Sequence, residues 1–167
     1  AGGLTYIARR AAEMAAAGNS GVDLFAFLKD GFTTAATAKV ATSAVEARKN
    51  GFLLDSDVIV PNKDELLFVA SAQVKALADS GYRAPLKARI PVAGRSGIAT
   101  IKGQLANMRD GAFISDHDYL LASLIADVVC GGEVEAGTVV DEDYLMTLER
   151  KHFCALLENP KTQERIM

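Results

Sequence analysis

Gly2-Gly3-Leu4-Thr5-Tyr6-Ile7-Ala8-Arg9-Arg10-Ala11-Ala12-Glu13-Met14-Ala15-Ala16-Ala17-Gly18 sets the helical character of this chain. Leu4, Ile7, Ala8, Ala11 and Ala15 recur at the steps of one helix face, while Arg9, Arg10 and Glu13 fall largely on the other side. The spacing predicts a helix over about Leu4–Ala17, closed by Gly18 as a left-handed cap. The preceding glycine pair can turn free backbone N–H groups toward an anion or a polarised carbonyl. A chain that enters a helix so abruptly, and stops just after Pro160-Lys161-Thr162-Gln163-Glu164-Arg165-Ile166 opens another, reads as a fragment of a longer polypeptide.

Start and stop signals repeat along the rest of the sequence. After a loop at Asn19–Val22, Asp23 caps a predicted helix to about Thr37, with Leu24, Phe27, Leu28 and Phe32 at helical spacing. Ser43-Ala44-Val45-Glu46 is a capping box, and Gly51 ends the short helix it opens. Asp57-Val58-Ile59-Val60-Pro61 is the one strand expected, short and β-branched. Asn62-Lys63-Asp64-Glu65 opens a helix to about Ser80, with a buried stripe expected from Leu66, Leu67, Val69, Ala70, Val74, Leu77 and Ala78. Pro85, Pro91, Gly94 and Gly97 punctuate an extended connector over Tyr82–Gly97. Beyond it, helices are predicted over Ala99–Arg109, over Asp116–Cys130 after a Ser115 cap, and to Glu158 after an Asp141 cap. In the last of these Tyr144, Leu145, Leu148, Phe153, Leu156 and Leu157 form the apolar face. The fold class is therefore mainly α, a multi-helix fragment with at most one or two short strands.

Composition narrows the function classes. A formal charge of −3 and a pI near 5.4, with scattered Lys and Arg, give no footprint for nucleic acid or an anionic membrane. No apolar run approaches the roughly 18–20 residues of a spanning helix. Cys130 and Cys154 are too far apart for a CxxC arrangement, so neither a disulfide framework nor a zinc site is suggested, and a reducing cytoplasm is the expected compartment.

Residues that invite chemistry each have a plainer reading. His117 sits between Asp116 and Asp118 at a helix start, where acids are favourable, and is expected to be solvated. His152 and Cys154 lie two positions apart and so face different sides of their helix, which speaks against a nucleophile and base; Cys154 is expected in the core. Gly94-Arg95-Ser96-Gly97 with Lys102 lacks the GK[ST] close of a phosphate loop. Glu133 and Glu135 lie in a glycine-flanked loop and are expected to be solvated, and Phe25, Phe27 and Phe32 read as core rather than acyl pocket. The residues alone give no catalytic constellation, no metal site and no cofactor site.

Several strings carry a resemblance. Ala1-Gly2-Gly3-Leu4, the segment Thr42-Ser43-Ala44-Val45-Glu46-Ala47-Arg48-Lys49-Asn50-Gly51-Phe52-Leu53, Val58-Ile59-Val60-Pro61 and Asp64-Glu65-Leu66-Leu67 resemble segments of the crotonase, or enoyl-CoA hydratase, superfamily. Ile90-Pro91-Val92-Ala93-Gly94-Arg95-Ser96-Gly97, Phe113-Ile114-Ser115-Asp116-His117-Asp118, Gly131-Gly132 with Ala136-Gly137-Thr138, Tyr144-Leu145-Met146-Thr147-Leu148-Glu149-Arg150 and Pro160-Lys161-Thr162-Gln163-Glu164-Arg165 resemble the tail of large bacterial fatty-acid oxidation proteins. Those proteins join an NAD-dependent 3-hydroxyacyl-CoA dehydrogenase to an enoyl-CoA hydratase-like region.

The resemblance implies a division into residues 1–81, the C-terminal portion of a crotonase-like domain, a connector over 82–97, and a C-terminal helical region over 98–167. It implies acyl-CoA contact through Gly2 and Gly3, with the oxyanion amides and glutamates of the hydratase upstream of this sequence. NAD would belong to the dehydrogenase part of the parent, since no GxGxxG follows a strand here. The fragment itself is expected to be inactive, cytoplasmic and a homo-oligomer, with no nucleic-acid or membrane partner. The alternative from another class is a stand-alone, non-catalytic helical interaction or oligomerisation module.

Overall fold

The computed structural model describes residues 2–18 and 23–166, so the loop expected at Asn19–Val22 lies outside the described residues. The elements in order are α1 (Gly3–Ala17), α2 (Leu24–Ala36), α3 (Ala44–Lys49), a 3-10 turn (Lys63–Glu65), α4 (Leu66–Asp79), β1 (Arg89–Pro91), α5 (Gly94–Asp110), α6 (Asp116–Val129), β2 (Val139–Asp141), α7 (Glu142–Leu157) and α8 (Pro160–Ile166). The fold is mainly α, with a single two-stranded antiparallel ladder among the described residues, pairing Ile90 with Val140.

The residues up to Lys39 join those from Lys87 onward in one compact unit, and Val40–Leu86 forms a second. In the first unit α1 packs along α2, and both meet α6. The core between them takes Ala11, Leu28, Phe32, Ile98, Ile101, Leu105, Ala122, Ala126 and Val129, with Phe25 and Phe27 packed against it. The expected core role of the three phenylalanines is thus what the structure shows. Small residues of α1 and α6, Ala11, Ala122 and Ala126, are buried in that core, and a second cluster of Ala8, Ala12, Ile90, Val92 and Leu145 joins α1 to the strand pair and α7.

The C-terminal end of α6 and the start of α5 meet through glycines. Gly94 has φ +59°, and a Cβ there would come within 2.3 Å of the Val134 carbonyl oxygen. Gly94 N–H donates to the Cys130 carbonyl at 2.7 Å and Arg95 N–H to the Val134 carbonyl at 2.8 Å. Gly131, at φ +86°, presses on Val92 so closely that a Cβ would lie 2.6 Å from its methyl carbon. The expected connector over Tyr82–Gly97 therefore holds β1 and the first turn of α5, and the helix expected at Ala99 starts five residues earlier, at Gly94. The cue is unusual because Gly94 replaces a capping side chain with backbone hydrogen bonds to a neighbouring loop. Gly18 also departs from expectation: it closes α1 in an extended conformation, its N–H bonded to the Met14 carbonyl, not in the left-handed region.

In the second unit Ser43 caps α3 as expected, accepting from Glu46 N–H at 3.1 Å. Glu46 completes the cap one residue upstream of the standard box, its carboxylate accepting from Thr42 N–H at 2.8 Å and the Thr42 hydroxyl at 2.6 Å. Asn62 accepts from Asp64 N–H and starts the 3-10 turn that leads into α4. The strand expected over Asp57–Pro61 does not form. Arg48 holds the backbone there in a turn, donating to the Leu54 carbonyl at 3.2 Å and the Asp57 carbonyl at 2.7 Å, and β-branched residues make a strand only against a partner. The stripe expected to be buried on α4 is exposed: no residue of α4 is buried.

The glycine contacts give a direct test. Gly94→Ala is expected to lower stability by about 3 kcal/mol or more, since it combines a disfavoured left-handed φ with a steric clash against backbone. Gly103→Ala, within α5 with nothing within 4 Å of a new Cβ, is expected to raise stability by about 0.5–1 kcal/mol. Urea unfolding followed by circular dichroism measures both.

Candidate functional site

The N-terminus of α1 is where the sequence placed an anion, and the structure places one there from within the chain. Gly2, at φ +116°, aims its N–H at Glu149 Oε1 at 2.8 Å. Glu149 Oε2 accepts from Thr5 N–H at 3.2 Å and from the buried Thr5 hydroxyl at 3.1 Å. The first N–H groups of a helix have no intrahelical acceptor and carry the positive end of its dipole, so a carboxylate is a fitting plug. Gly3 is exposed, and nothing lies within 4 Å of where a side chain there would start. The amide of Gly2 thus serves the chain's own Glu149 in this structure, and Met146 Sδ lies 4.0 Å from where a Gly2 side chain would start.

Glu149 is one of four residues on a single stripe of α7 that docks the helix. Glu142 accepts from Arg9 at 2.8 Å, Leu145 is fully buried, Glu149 plugs α1, and His152 Nε2 meets Asp127 Oδ2 on α6 at 2.5 Å. Spacings of three, four and three residues put them in line. The apolar face read from the sequence differs from this docking stripe: Tyr144, Phe153 and Leu157 are exposed. His152 and Asp127 are both largely shielded from solvent, at 17% and 15% side-chain exposure. Cys154, two positions on, is exposed rather than in the core, so the residues that sequence proximity pairs do separate things.

His117 is buried, not solvated, at 5% exposure, with Nε2 3.3 Å from the Thr162 hydroxyl of α8. Thr162 and Arg165 bring α8 to the start of α6, a long-range contact that no local pattern announces. The neighbouring Asp118 closes a capping box with Ser115 and accepts from Arg165 at 2.7 Å. Hydrogen bonds from Ser115 and from the Arg165 guanidinium hold the Asp118 carboxyl down at about 2. Arg109, Ser115, Asp116, Asp118 and Lys161 line a shallow cavity of about 590 Å³ beside this corner, with both charges represented.

The remaining sequence candidates are also used internally. Glu133 and Glu135 are both exposed, as expected, with Arg95 the ion-pair partner of Glu135. Burial, with the nearby Asp127 charge, pushes the Cys130 thiol up to about 12, which makes it a poor nucleophile. No group of three or more His, Cys, Asp or Glu residues placed to hold a metal ion occurs among the described residues. At the start of α5, the glycine-rich helix N-terminus, the Gly94 and Arg95 amides bond to the Cys130 and Val134 carbonyls.

Comparison with known proteins gives one informative relative. Over 135 residues, 81% of this chain, the sequence is 40% identical to a protein of Bacillus subtilis (strain 168) named "Probable 3-hydroxyacyl-CoA dehydrogenase". The chain spans about a sixth of that relative's length, 17%. No family model matches, and no solved structure matches. No helix among the described residues is long and apolar enough to cross a membrane.

Sequence reasoning missed Glu149, Asp127 with His152, and Thr162 with His117, because each pairing joins elements far apart in the chain. The one available signal was the in-line spacing of Glu142, Leu145, Glu149 and His152.

Removing the plug measures its worth. Glu149→Ala strands the Gly2 and Thr5 amides and the Thr5 hydroxyl, and is expected to cost about 2–3 kcal/mol; Glu149→Gln, which keeps one acceptor oxygen, is expected to cost about half of that. Urea unfolding of the two variants beside the wild type checks the order. The Asp118 cap gives a pH signature. Its folded pKa is depressed, so its contribution is present above about pH 4, falls as the pH drops, and is lost on passing through about 2. The stability gap between wild type and Asp118→Asn is expected to shrink over that window, and a gap constant from pH 5 to pH 2 would contradict it.

Proposed function

We propose that this chain is a helical, structural part of a fatty-acid β-oxidation protein of the 3-hydroxyacyl-CoA dehydrogenase type. In that reading the larger polypeptide oxidises 3-hydroxyacyl-CoA with NAD, joined to an enoyl-CoA hydratase-like region, and the reacting groups lie outside this sequence. The observation that carries the reading is the 40% identity to the Bacillus subtilis relative over most of this chain. What supports a structural role is the fate of several polar residues: Glu149 meets the start of α1, Asp127 and His152 meet each other, His117 meets the Thr162 hydroxyl and Arg95 meets Glu135. An acid or base held in an internal pair is not poised to exchange a proton with a substrate unless a pocket brings the two within hydrogen-bond reach. Acyl-CoA and NAD are then partners of the whole protein, in the cytoplasm where that metabolism runs, and this chain supplies wall and support.

A chimera tests this. The matching stretch of the Bacillus subtilis relative is replaced by the corresponding residues of this chain, and NAD-linked oxidation of 3-hydroxyacyl-CoA is followed by NADH absorbance, beside the isolated chain. The chimera is expected to turn over, and the isolated chain is not. Turnover by the isolated chain that a single substitution within it abolishes would overturn the structural reading, and a soluble but inactive chimera would overturn the assignment to this type of protein.

A further inference from the structure

The stripe of α7 that faces α1 is longer than α1 itself. The two helices run antiparallel: Glu142 meets Arg9, Leu145 packs with Ala8 and Ala12, and Glu149 meets Thr5 and Gly2. Met146, on the same side, has its Sδ 4.0 Å from where a Gly2 side chain would start. The described residues begin at Gly2, level with Glu149, whereas α7 continues for eight residues to Leu157, roughly 12 Å of helix. Phe153 comes four, seven and eleven residues after Glu149, Met146 and Glu142, so it continues their line, with Leu156 and Leu157 one turn further on. The stripe thus changes from carboxylates that hold α1 to apolar side chains beyond the reach of α1. Phe153 is 58% exposed and Leu157 42%, while Leu156 is half-buried.

The position of Gly2 selects the occupant. Its N–H bonds to Glu149, so a polypeptide leading into α1 arrives at the base of this apolar stretch. We propose that Phe153, Leu156 and Leu157 form the docking surface for the segment of a longer polypeptide that leads into Gly2, and that this segment brings apolar side chains to them. The proposal rests on the reading of this chain as part of a larger protein, of which the Bacillus subtilis relative is the example, this chain spanning 17% of it. About four residues of extended chain, or eight of helix, cover roughly 12 Å, so the contact falls within about ten residues of Gly2. A segment joined to α1 meets the stripe at high effective concentration. A separate partner, a second copy of this chain included, would lose its translational and rotational freedom for a contact only two turns long. The surface also continues an interface already formed, since it extends the contact of α7 with α1 by the same three- and four-residue steps.

Photo-crosslinking tests the proposal in the chimera with the Bacillus subtilis relative, with p-benzoylphenylalanine incorporated in place of Phe153 and, as a control, in place of the exposed Lys151 on the far side of α7. The probe at 153 is expected to form an adduct that peptide mapping places within about ten residues upstream of Gly2, and the probe at 151 is not. An adduct from 153 to residues of this chain, to a remote part of the larger protein or to a second copy would overturn the proposal, as would a soluble chimera that forms none. The adduct is read without turnover, so a chimera that forms it yet fails to oxidise 3-hydroxyacyl-CoA supports the docking and counts against the dehydrogenase reading alone. Phe153→Ser in the isolated chain gives a second reading, since the two residues have similar helix propensity. It is expected to leave the urea midpoint and the helicity unchanged there. A clear fall in the midpoint would show that this sequence already covers Phe153, and would overturn the proposal.

Discussion

A single carboxylate closes the first unit. Glu149, midway along α7, ties the otherwise orphaned amides at the start of α1 to a helix some 145 residues later in the chain. Because α1 also packs on α2, α6 and β1, the plug fixes α7 to the whole helical layer rather than to one neighbour. The same stripe of α7 sends Glu142 to Arg9 and His152 to Asp127, so the helix is docked by charge and hydrogen bonding around one buried leucine, Leu145. An arrangement of this kind gives specificity of position more than net stability, since desolvating paired charges offsets much of their attraction.

Close backbone approach is the second constraint. Where α5 starts against the turn after α6, Gly94 and Gly131 occupy left-handed conformations and leave no room for a Cβ. Gly97 does the same work one turn later, where a Cβ would sit 2.6 Å from the Ala93 methyl and 3.1 Å from Cys130 Sγ. The tightness shields Cys130 and takes up the amides at the start of α5, so a stretch that superficially resembles a phosphate loop is a packing joint. The two ends that sequence motifs suggest for anions, at Gly2 and at Gly94, are thus filled by different means: one by a side chain, the other by main chain.

Much of this fold is legible in the sequence because its helix signals are local. Asp23, Ser43, Asn62, Ser115 and Asp141 each cap where expected, because a short polar side chain before a helix satisfies a nearby N–H whatever the tertiary context. What was not legible depended on distant partners. Val58–Val60 has the composition of a strand, and only the absence of a ladder partner decides otherwise, whereas Arg89–Pro91, with a proline in it, forms one because Val139–Asp141 lies alongside. His117 reads as a solvated first-turn residue until α8 covers it. On α4 the apolar pattern was read correctly as a face, but its burial was not, because amphipathic spacing says that a face should be covered and not by what. The candidate site was half legible: the glycine turn pointed to an anion, and the identity of that anion, a glutamate from α7, could not be read locally.

The central structural claim is that Glu149 occupies the open amides at the start of α1 and docks α7 there, and the first turn of α1 tests it most directly. First-turn amides ordinarily exchange quickly with solvent, having no intrahelical acceptor. Amide hydrogen exchange of the unmodified chain, resolved by NMR at Thr5, reads whether Glu149 occupies that position in solution. The account predicts that the Thr5 amide exchanges as slowly as amides in the middle of α1. Exchange at the rate of an unstructured peptide, with the interior of α1 protected, would contradict it.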